Sequence, residues 1–129
     1  MSKEIVVTDA APAAIGPYSQ GIVASGRMVF VSGQLGIDPA VGKLVDGGVE
    51  SQARRALTNI QSILAAAGAT LADVVKTTVL LHDINDYKAV NVIYAEFFVE
   101  NPPARAAFGG LDLPLGALVE IETIAIIDN

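Results

Sequence analysis

Five polar residues interrupt otherwise apolar segments of this 129-residue chain, and their side chains are of types that could do chemistry. They are Tyr18, Ser32, Asn91, Arg105 and Glu120. A buried polar group without a hydrogen-bond partner costs about 1 to 3 kcal/mol, so a folded chain must satisfy each of them. The partner is either another part of the protein or a bound ligand.

Arg105 and Glu120 carry the clearest chemical signal. Arg105 is the only charged residue between Glu100 and Asp112, and its fork of N–H donors matches a carboxylate. A ligand carboxylate is one natural partner, and an internal salt bridge with Glu120 or Glu122 is the alternative. These two glutamates lie two residues apart, so they face the same side of a strand. Glu120 is also a candidate general acid or base.

The other three residues each have an ordinary structural interpretation beside a ligand role. Tyr18, in a turn between Gly16 and Gly21, could lay its ring on the core with its hydroxyl in water. Ser32 could bond to local backbone at a strand end. Asn91 could be a core amide bonded to a neighbouring backbone, or it could contact a ligand.

Several kinds of site are excluded or unsupported. The chain has no cysteine, which excludes disulfides, thiolate nucleophiles and thiolate metal sites. His82 is the sole histidine, so we expect no metal centre. Gly16 and Gly21 have the spacing of a phosphate-binding loop, but Ile22 occupies the position that needs lysine.

Charge and composition narrow the class of protein. Eight Lys and Arg against 14 Asp and Glu give a net charge of −6, which argues against a nucleic-acid partner. The length predicts one domain, residues 1–129. No apolar run approaches the roughly 20 residues that span a membrane, and residues 1–7 lack the apolar stretch of a signal peptide. These features predict a cytoplasmic protein without a membrane partner.

Hydrophobic periodicity predicts two helices. Apolar residues recur with helical spacing from Val49 to Ala67, and Gly68 is a suitable stop. Arg54, Arg55, Asn59 and Gln61 are expected on the opposite side. A second helix is expected after Asp83, which can cap it, and before Pro102. Its stripe reads Ile84, Tyr87, Asn91, Tyr94 and Phe98.

The remaining periodic segments predict strands at 5–8, 21–25, 28–34, 74–81, 105–109 and 118–127. Ser25, Gly26 and Arg27 suggest a short hairpin between the second and third. This order predicts an α+β two-layer sandwich, with both helices on one face of a mixed sheet. The strands contain more apolar residues than one helix-covered face can use, which favours association through the open face. Examples are Val29, Val31, Val79, Leu81, Ile124 and Ile126.

Five segments together give a specific pattern in a compatible order and spacing. They are Gly16-Pro17-Tyr18-Ser19-Gln20, Val31-Ser32-Gly33-Gln34, Asn91 in a helix ending Glu96-Phe97-Phe98, Pro103-Ala104-Arg105, and Leu113-Pro114 followed by Val119-Glu120-Ile121-Glu122. The chain resembles the Rid family, the YjgF-like reactive-intermediate deaminases, and most of all its RidA branch. The resemblance covers essentially the whole chain.

This resemblance implies a chorismate-mutase-like fold and a homotrimer whose sheets form a central β-barrel, with active sites in the clefts between subunits. Family members hydrolyse reactive 2-imino acids and their enamines to 2-oxo acids and ammonia. Their substrates include 2-aminoacrylate, 2-iminopropanoate and 2-iminobutanoate. No cofactor is implied.

The positions that match the family's functional residues are Tyr18, Ser32, Gly33, Asn91, Arg105, Ala107 and Glu120. The resemblance implies that Arg105 clamps the substrate carboxylate with help from the backbone amide of Gly33. Glu120 would activate water and shuttle protons to the departing ammonia. Tyr18 would close the pocket, and the backbone at Ala107 would contact the reacting end of the substrate. Ser32 and Asn91 would support the pocket. Many RidA members have cysteine at the position of Ala107. Because this chain has no cysteine, thiol chemistry is not expected here.

Two other functions compete with imine hydrolysis. A trimeric protein could bind 2-oxo acids or related small carboxylates without turnover, as a regulatory module. A nuclease or translation inhibitor is the second, since such activities have been attached to family members. The negative net charge argues against it.

Overall fold

The computed structural model describes residues 2–128, which form eight strands and two α-helices. The strands are β1 Ser2–Val6, β2 Gly21–Ser25, β3 Arg27–Leu35, β4 Ile37–Asp38, β5 Lys43–Leu44, β6 Val74–Leu81, β7 Ala104–Phe108 and β8 Val119–Ile127. The helices are α1 Gly48–Ala66 and α2 Tyr87–Phe97. Short 3₁₀ turns at Leu71–Asp73, Ile84–Asp86 and Pro114–Gly116 connect them.

Four strands form the main sheet, in the order β3, β8, β6, β7. β8 pairs antiparallel with both β3 and β6, whereas β6 and β7 run parallel and are joined through α2. β1 with β2 and β4 with β5 form two separate antiparallel pairs. The mixed sheet predicted from the sequence is confirmed.

Alternation along the strands directs one set of side chains toward the helices. Val79 and Leu81 of β6, together with Val119 and Ile121 of β8, are buried in the core on that side. The buried stripe of α1 consists of Gln52, Ala53, Ala56, Leu57, Ile60 and Leu64. Both helices therefore cover the same face of the sheet, which is the predicted α+β arrangement.

The helix predictions hold with local corrections. α1 begins one residue before the predicted start, and Gly68 adopts a φ of 81° just after it. Asp83 caps the 3₁₀ turn before α2, accepting a hydrogen bond from the Asn85 amide at 2.9 Å. Ile84 is 53% exposed and precedes the helix, so its assignment to the helical stripe is wrong. Asn59, expected to face outward, donates to the Ile37 carbonyl at 2.9 Å and ties α1 to β4.

The predicted hairpin at Ser25, Gly26 and Arg27 is wrong. β2 pairs with β1, and β3 pairs with β8 along most of its length. Only Gly26 separates β2 from β3, and one residue cannot form the two-residue loop of a tight hairpin. The chain instead passes from one sheet to the next at this point.

The face of the main sheet opposite the helices is apolar and open. Met28, Phe30 and Phe108 are 55%, 68% and 53% exposed. Pairing also directs Ile124 to this face, because it lies opposite Phe30. The surplus of apolar strand residues predicted from the sequence therefore lies partly on an uncovered surface. No helix among residues 2–128 is long and apolar enough to cross a membrane.

Candidate active site

Arg105 lies on β7, the edge strand of the main sheet, and its side chain is fixed by α2. It pairs in parallel register with Thr77 of β6, so both side chains point to the helix-covered face. Nη1 of Arg105 donates to Oδ1 of Asn91 at 2.8 Å, and Nη2 donates to the hydroxyl oxygen of Tyr87 at 2.9 Å. Asn91 is therefore a partner of Arg105 and not the core amide of the alternative interpretation.

Three tyrosine rings surround the Arg105 guanidinium. Its Cζ lies 5.2 Å from the ring centroid of Tyr18, 5.4 Å from that of Tyr87 and 4.9 Å from that of Tyr94. Each distance falls within the range of a cation–π contact. The half-buried positive charge is thus stabilised without a carboxylate from any residue that the structure describes.

Tyr94 is the buried wall of this cluster. Its hydroxyl lies 2.7 Å from Oγ1 of Thr77, and the ring packs in the core. Burial raises the pKa of Tyr94 to about 12, and the hydrogen bond with Thr77 and the charge of Arg105 only partly oppose that increase. Tyr94 therefore stays neutral near neutral pH and serves as a fixed surface for the cation.

A loop covers the cluster from the other side. A Cβ atom on Gly16 would lie 3.2 Å from Nη2 of Arg105 and 3.4 Å from the Tyr87 hydroxyl, so a side chain there would crowd both. The Tyr18 hydroxyl accepts a hydrogen bond from the Ile15 amide at 3.2 Å, which fixes its ring over the cation. Tyr18 thus contacts Arg105 rather than simply resting on the core.

Gln20 holds the preceding part of this loop in place. Its Oε1 accepts from the Thr8 amide at 2.7 Å, and its Nε2 donates to the Pro12 carbonyl at 2.6 Å. Nε2 also approaches the Thr8 and Ala11 carbonyls, at 3.1 and 3.3 Å. One side chain therefore organises the backbone that leads to Tyr18.

Arg105 keeps unused donors. A guanidinium has five N–H groups, and two of them are donated to Asn91 and Tyr87. Within residues 2–128, Arg105 forms no salt bridge with a carboxylate. The internal salt bridge with Glu120 or Glu122, considered from the sequence, is not formed.

Glu120 lies on β8, opposite Leu35 of β3 and Leu80 of β6. Its carboxylate lies directly over Gly33, where a Cβ atom would overlap it and come within 2.9 Å of Cδ. The absence of a side chain at Gly33 therefore makes room for the half-buried carboxylate. Ser32, next to Gly33, is exposed and lines a depression of about 270 Å³ on the open face.

Arg105 and Glu120 lie on opposite faces of the sheet. Between them runs β6, where Thr77 pairs with Arg105 and Leu80 pairs with Glu120. Because these two β6 residues are three apart, their side chains point to opposite faces. Ala107 pairs with Val79 and therefore shares the face of Arg105. This separation is the physical reason why the internal salt bridge, which was the alternative to a ligand carboxylate, does not form.

The predicted site residues accordingly fall into two groups within the chain. Tyr18, Asn91, Arg105 and Ala107 lie on the helix side of the sheet, and Ser32, Gly33 and Glu120 lie on the open side. Sequence reasoning assigned Tyr87 and Tyr94 to the apolar stripe of α2 and missed their contacts with Arg105. The spacing of four between Tyr87 and Asn91 could have revealed the first, since it places both on one face of a helix.

Comparison with known proteins adds an independent finding. The family model described as Endoribonuclease L-PSP matches residues 8–127. A goat (Capra hircus) protein named 2-iminobutanoate/2-iminopropanoate deaminase is 55% identical over 124 residues, which cover 96% of this chain and 90% of that protein. RidA from an Antarctic Psychrobacter species is structurally similar, with a TM-score of 0.76, 44% identity and coverage of 96% and 99%. Escherichia coli TdcF with bound serine has a TM-score of 0.74, 41% identity and coverage of 97% and 99%.

Proposed function

We propose, from the premise that this chain belongs to the Endoribonuclease L-PSP family, to which the YjgF-like Rid proteins belong, that it hydrolyses 2-imino acids. The substrates are 2-iminobutanoate, 2-iminopropanoate and 2-aminoacrylate, and the products are 2-oxo acids and ammonia. The observation that carries this proposal is the Arg105 guanidinium, which has free donors and no carboxylate partner among the described residues. The likeness to TdcF with bound serine, an amino acid with a carboxylate, supports it.

In this proposal, Arg105 binds the substrate carboxylate in two parallel hydrogen bonds, with the Gly33 amide as a further donor. This contact fixes the imine carbon for attack. Glu120 takes a proton from water as the new C–O bond forms and passes it to the imine nitrogen, which gives a neutral tetrahedral intermediate. Glu120 then moves the hydroxyl proton of that intermediate to the same nitrogen, so the C–N bond breaks, the C=O bond forms and ammonia leaves. Tyr18 and the backbone at Ala107 close the pocket, and Ser32 and Asn91 support it.

We propose further that the site is completed between subunits of a homotrimer. Arg105 and Glu120 of one chain lie on opposite faces of its sheet, so one subunit cannot present both to the same substrate. The open face exposes the apolar side chains of Met28, Phe30 and Phe108. Burial of this face in an assembly would remove them from water, which is favourable. A trimer with its open faces around a central β-barrel meets both conditions.

A ribonuclease function, which the family description also names, has less physical support. The net charge of −6 opposes the approach of RNA. Cleavage of RNA by the wild type that is lost in a Glu120→Gln variant would contradict this conclusion.

The direct test couples the purified protein to a threonine dehydratase, which releases the enamine and imine of 2-oxobutanoate. We expect 2-oxobutanoate to appear faster than in buffer, in proportion to the protein concentration. A purely binding protein would instead bind 2-oxobutanoate in calorimetry without any acceleration. Absence of acceleration would therefore reject hydrolysis, and the calorimetry would decide whether the binding function replaces it.

The cytoplasm is the compartment that we propose, and 1–129 is the single domain. Immunoblots of fractionated cells from the source organism test the compartment, and recovery in a membrane or secreted fraction would contradict it. Limited proteolysis tests the domain, which we expect to survive as one fragment.

A further inference from the structure

The hydroxyl group of Tyr87 has a proton that no described residue accepts. Its oxygen accepts a hydrogen bond from Nη2 of Arg105 at 2.9 Å. A phenol can accept in this way and still donate its own proton. Within residues 2–128, the Tyr87 hydroxyl donates to no acceptor. A free O–H donor therefore stands directly beside the free donors of the guanidinium.

We propose that the Tyr87 hydroxyl donates this proton to the substrate carboxylate, beside Arg105. The inference rests on the proposed function, because it assigns a second donor to the same anion. Two donor groups 2.9 Å apart can each meet one oxygen of a single carboxylate, much as the two nitrogens of a guanidinium fork do. Tyr87 is then a substrate-binding residue that sequence reasoning did not identify.

The charge of Arg105 strengthens this donor. An oxygen that accepts a hydrogen bond from a cation releases its own proton more readily into the next hydrogen bond, because the chain of bonds is cooperative. The partly buried setting lowers the effective dielectric and enhances the effect. The hydrogen bond from Arg105 thus makes the Tyr87 hydroxyl a stronger donor to an anion in the pocket.

A purely structural role for the hydroxyl explains less. Asn91 already holds the guanidinium through Nη1, and the Tyr87 ring contacts the cation at 5.4 Å without needing its oxygen. Tyr87 is only partly buried, so its remaining proton is accessible to a ligand. The close approach of Gly16, with a Cβ position only 3.4 Å from this oxygen, covers it on the loop side. A ligand carboxylate satisfies the remaining donor.

The first experiment removes only the hydroxyl. In Tyr87→Phe the ring stays over Arg105, and we expect the Kd for 2-oxobutanoate to rise about tenfold, the value of one hydrogen bond to a charged group. KM for the imine should rise similarly while kcat changes less than about twofold, since the contact is made equally in the ground and transition states. Circular dichroism and the melting temperature check that the variant is folded. A Kd within twofold of the wild type would overturn the proposal.

The second experiment separates donation to the ligand from support of Arg105. Replacing Tyr87 with 3-fluorotyrosine makes the neutral phenol a stronger donor and a weaker acceptor. If the hydroxyl donates to the carboxylate, the Kd for 2-oxobutanoate should fall. If it only accepts from Arg105, the Kd should rise, and that result would overturn the proposal.

These measurements also distinguish this inference from the proposed function. A wild type that hydrolyses imines, with an unchanged Tyr87→Phe variant, would reject only the role of Tyr87. A wild type that binds 2-oxobutanoate without accelerating hydrolysis, together with the expected changes in Kd for the two Tyr87 variants, would reject only catalysis. A wild type that neither binds nor hydrolyses would reject both.

Discussion

The two charged residues of the candidate site are held in contrasting ways. Arg105 has two hydrogen bonds to α2 and three tyrosine rings around it. The Glu120 carboxylate forms no hydrogen bond to another residue in the range 2–128, and only the missing side chain of Gly33 makes room for it. In the proposed mechanism, a single chain thus builds the anion-binding half of the site around Arg105, Tyr87 and Asn91, whereas the open half, with Glu120 and the Gly33 amide, lies on the other face of the sheet. The difference suggests that most of the affinity for a carboxylate comes from the Arg105 half and that catalysis requires the trimer that we propose.

The largest expected effect follows from changing the open half. Glu120→Gln keeps the shape of the side chain but removes its ability to take a proton, so kcat should fall by about 10² to 10⁴. The Kd for 2-oxobutanoate should change little, because Arg105 and not the Glu120 side chain binds the anion in the proposed mechanism. Glu122→Gln, two residues along the same face, is the matched control and should keep nearly full activity. Equal loss in both variants would remove the special role of Glu120.

A change in the anion-binding half should weaken ligand binding, whereas a change at Glu120 should lower kcat. Arg105→Lys retains the charge but loses the fork that meets Asn91, Tyr87 and a carboxylate together, so the Kd for 2-oxobutanoate should rise about 100-fold. Isothermal calorimetry measures this directly. Arg54→Lys is the control, because Arg54 pairs with Glu96 on the exposed surface at 2.8 Å. Unchanged affinity in Arg105→Lys would show that the carboxylate binds elsewhere.

A smaller effect is expected at Gly33. A methyl group there would overlap the Glu120 carboxylate, the flexible end of a side chain, which can move away at little cost in folding free energy. We therefore expect Gly33→Ala to lower kcat about tenfold, since a misplaced catalytic group is costly, with a melting temperature close to the wild type. Steady-state kinetics and calorimetric melting test the two parts. A Gly33→Ala variant with a much lower melting temperature and a wild-type kcat would contradict this prediction.

The smallest effect concerns pH and the wall of the anion-binding half. Burial raises the pKa of Tyr94 from 10.0 to about 12 in the folded state. The contribution of this group to the free energy of unfolding is therefore fully present below about pH 10 and is lost as the pH rises toward 12. Urea unfolding across this window should show a steeper decline for the wild type than for Tyr94→Phe. Tyrosinate absorbance should likewise include one tyrosine that ionises near pH 12 and is absent from the variant. Identical declines would contradict the assignment.

The sequence alone predicted the elements better than it predicted their mutual placement. β6 has the predicted bounds, because its alternation and flanking signals are local. The relation between Arg105 and Glu120 depends on which β6 residue each one faces, and a shift of one residue reverses a side chain's face. Such register is set by tertiary packing, so the internal salt bridge could not be excluded beforehand. Tyr87 was missed because an aromatic residue in a helical stripe is usually core.

The most direct test of the account mixes two inactive variants. Arg105→Ala and Glu120→Gln are unfolded together, refolded in equal amounts and assayed for imine hydrolysis, with each variant refolded alone as the control. If each site takes Arg105 from one subunit and Glu120 from a neighbour, random trimers should recover about a quarter of the wild-type activity. Mixtures that remain as inactive as the separate variants, despite a confirmed mixed assembly, would contradict the claim that the two halves meet between subunits.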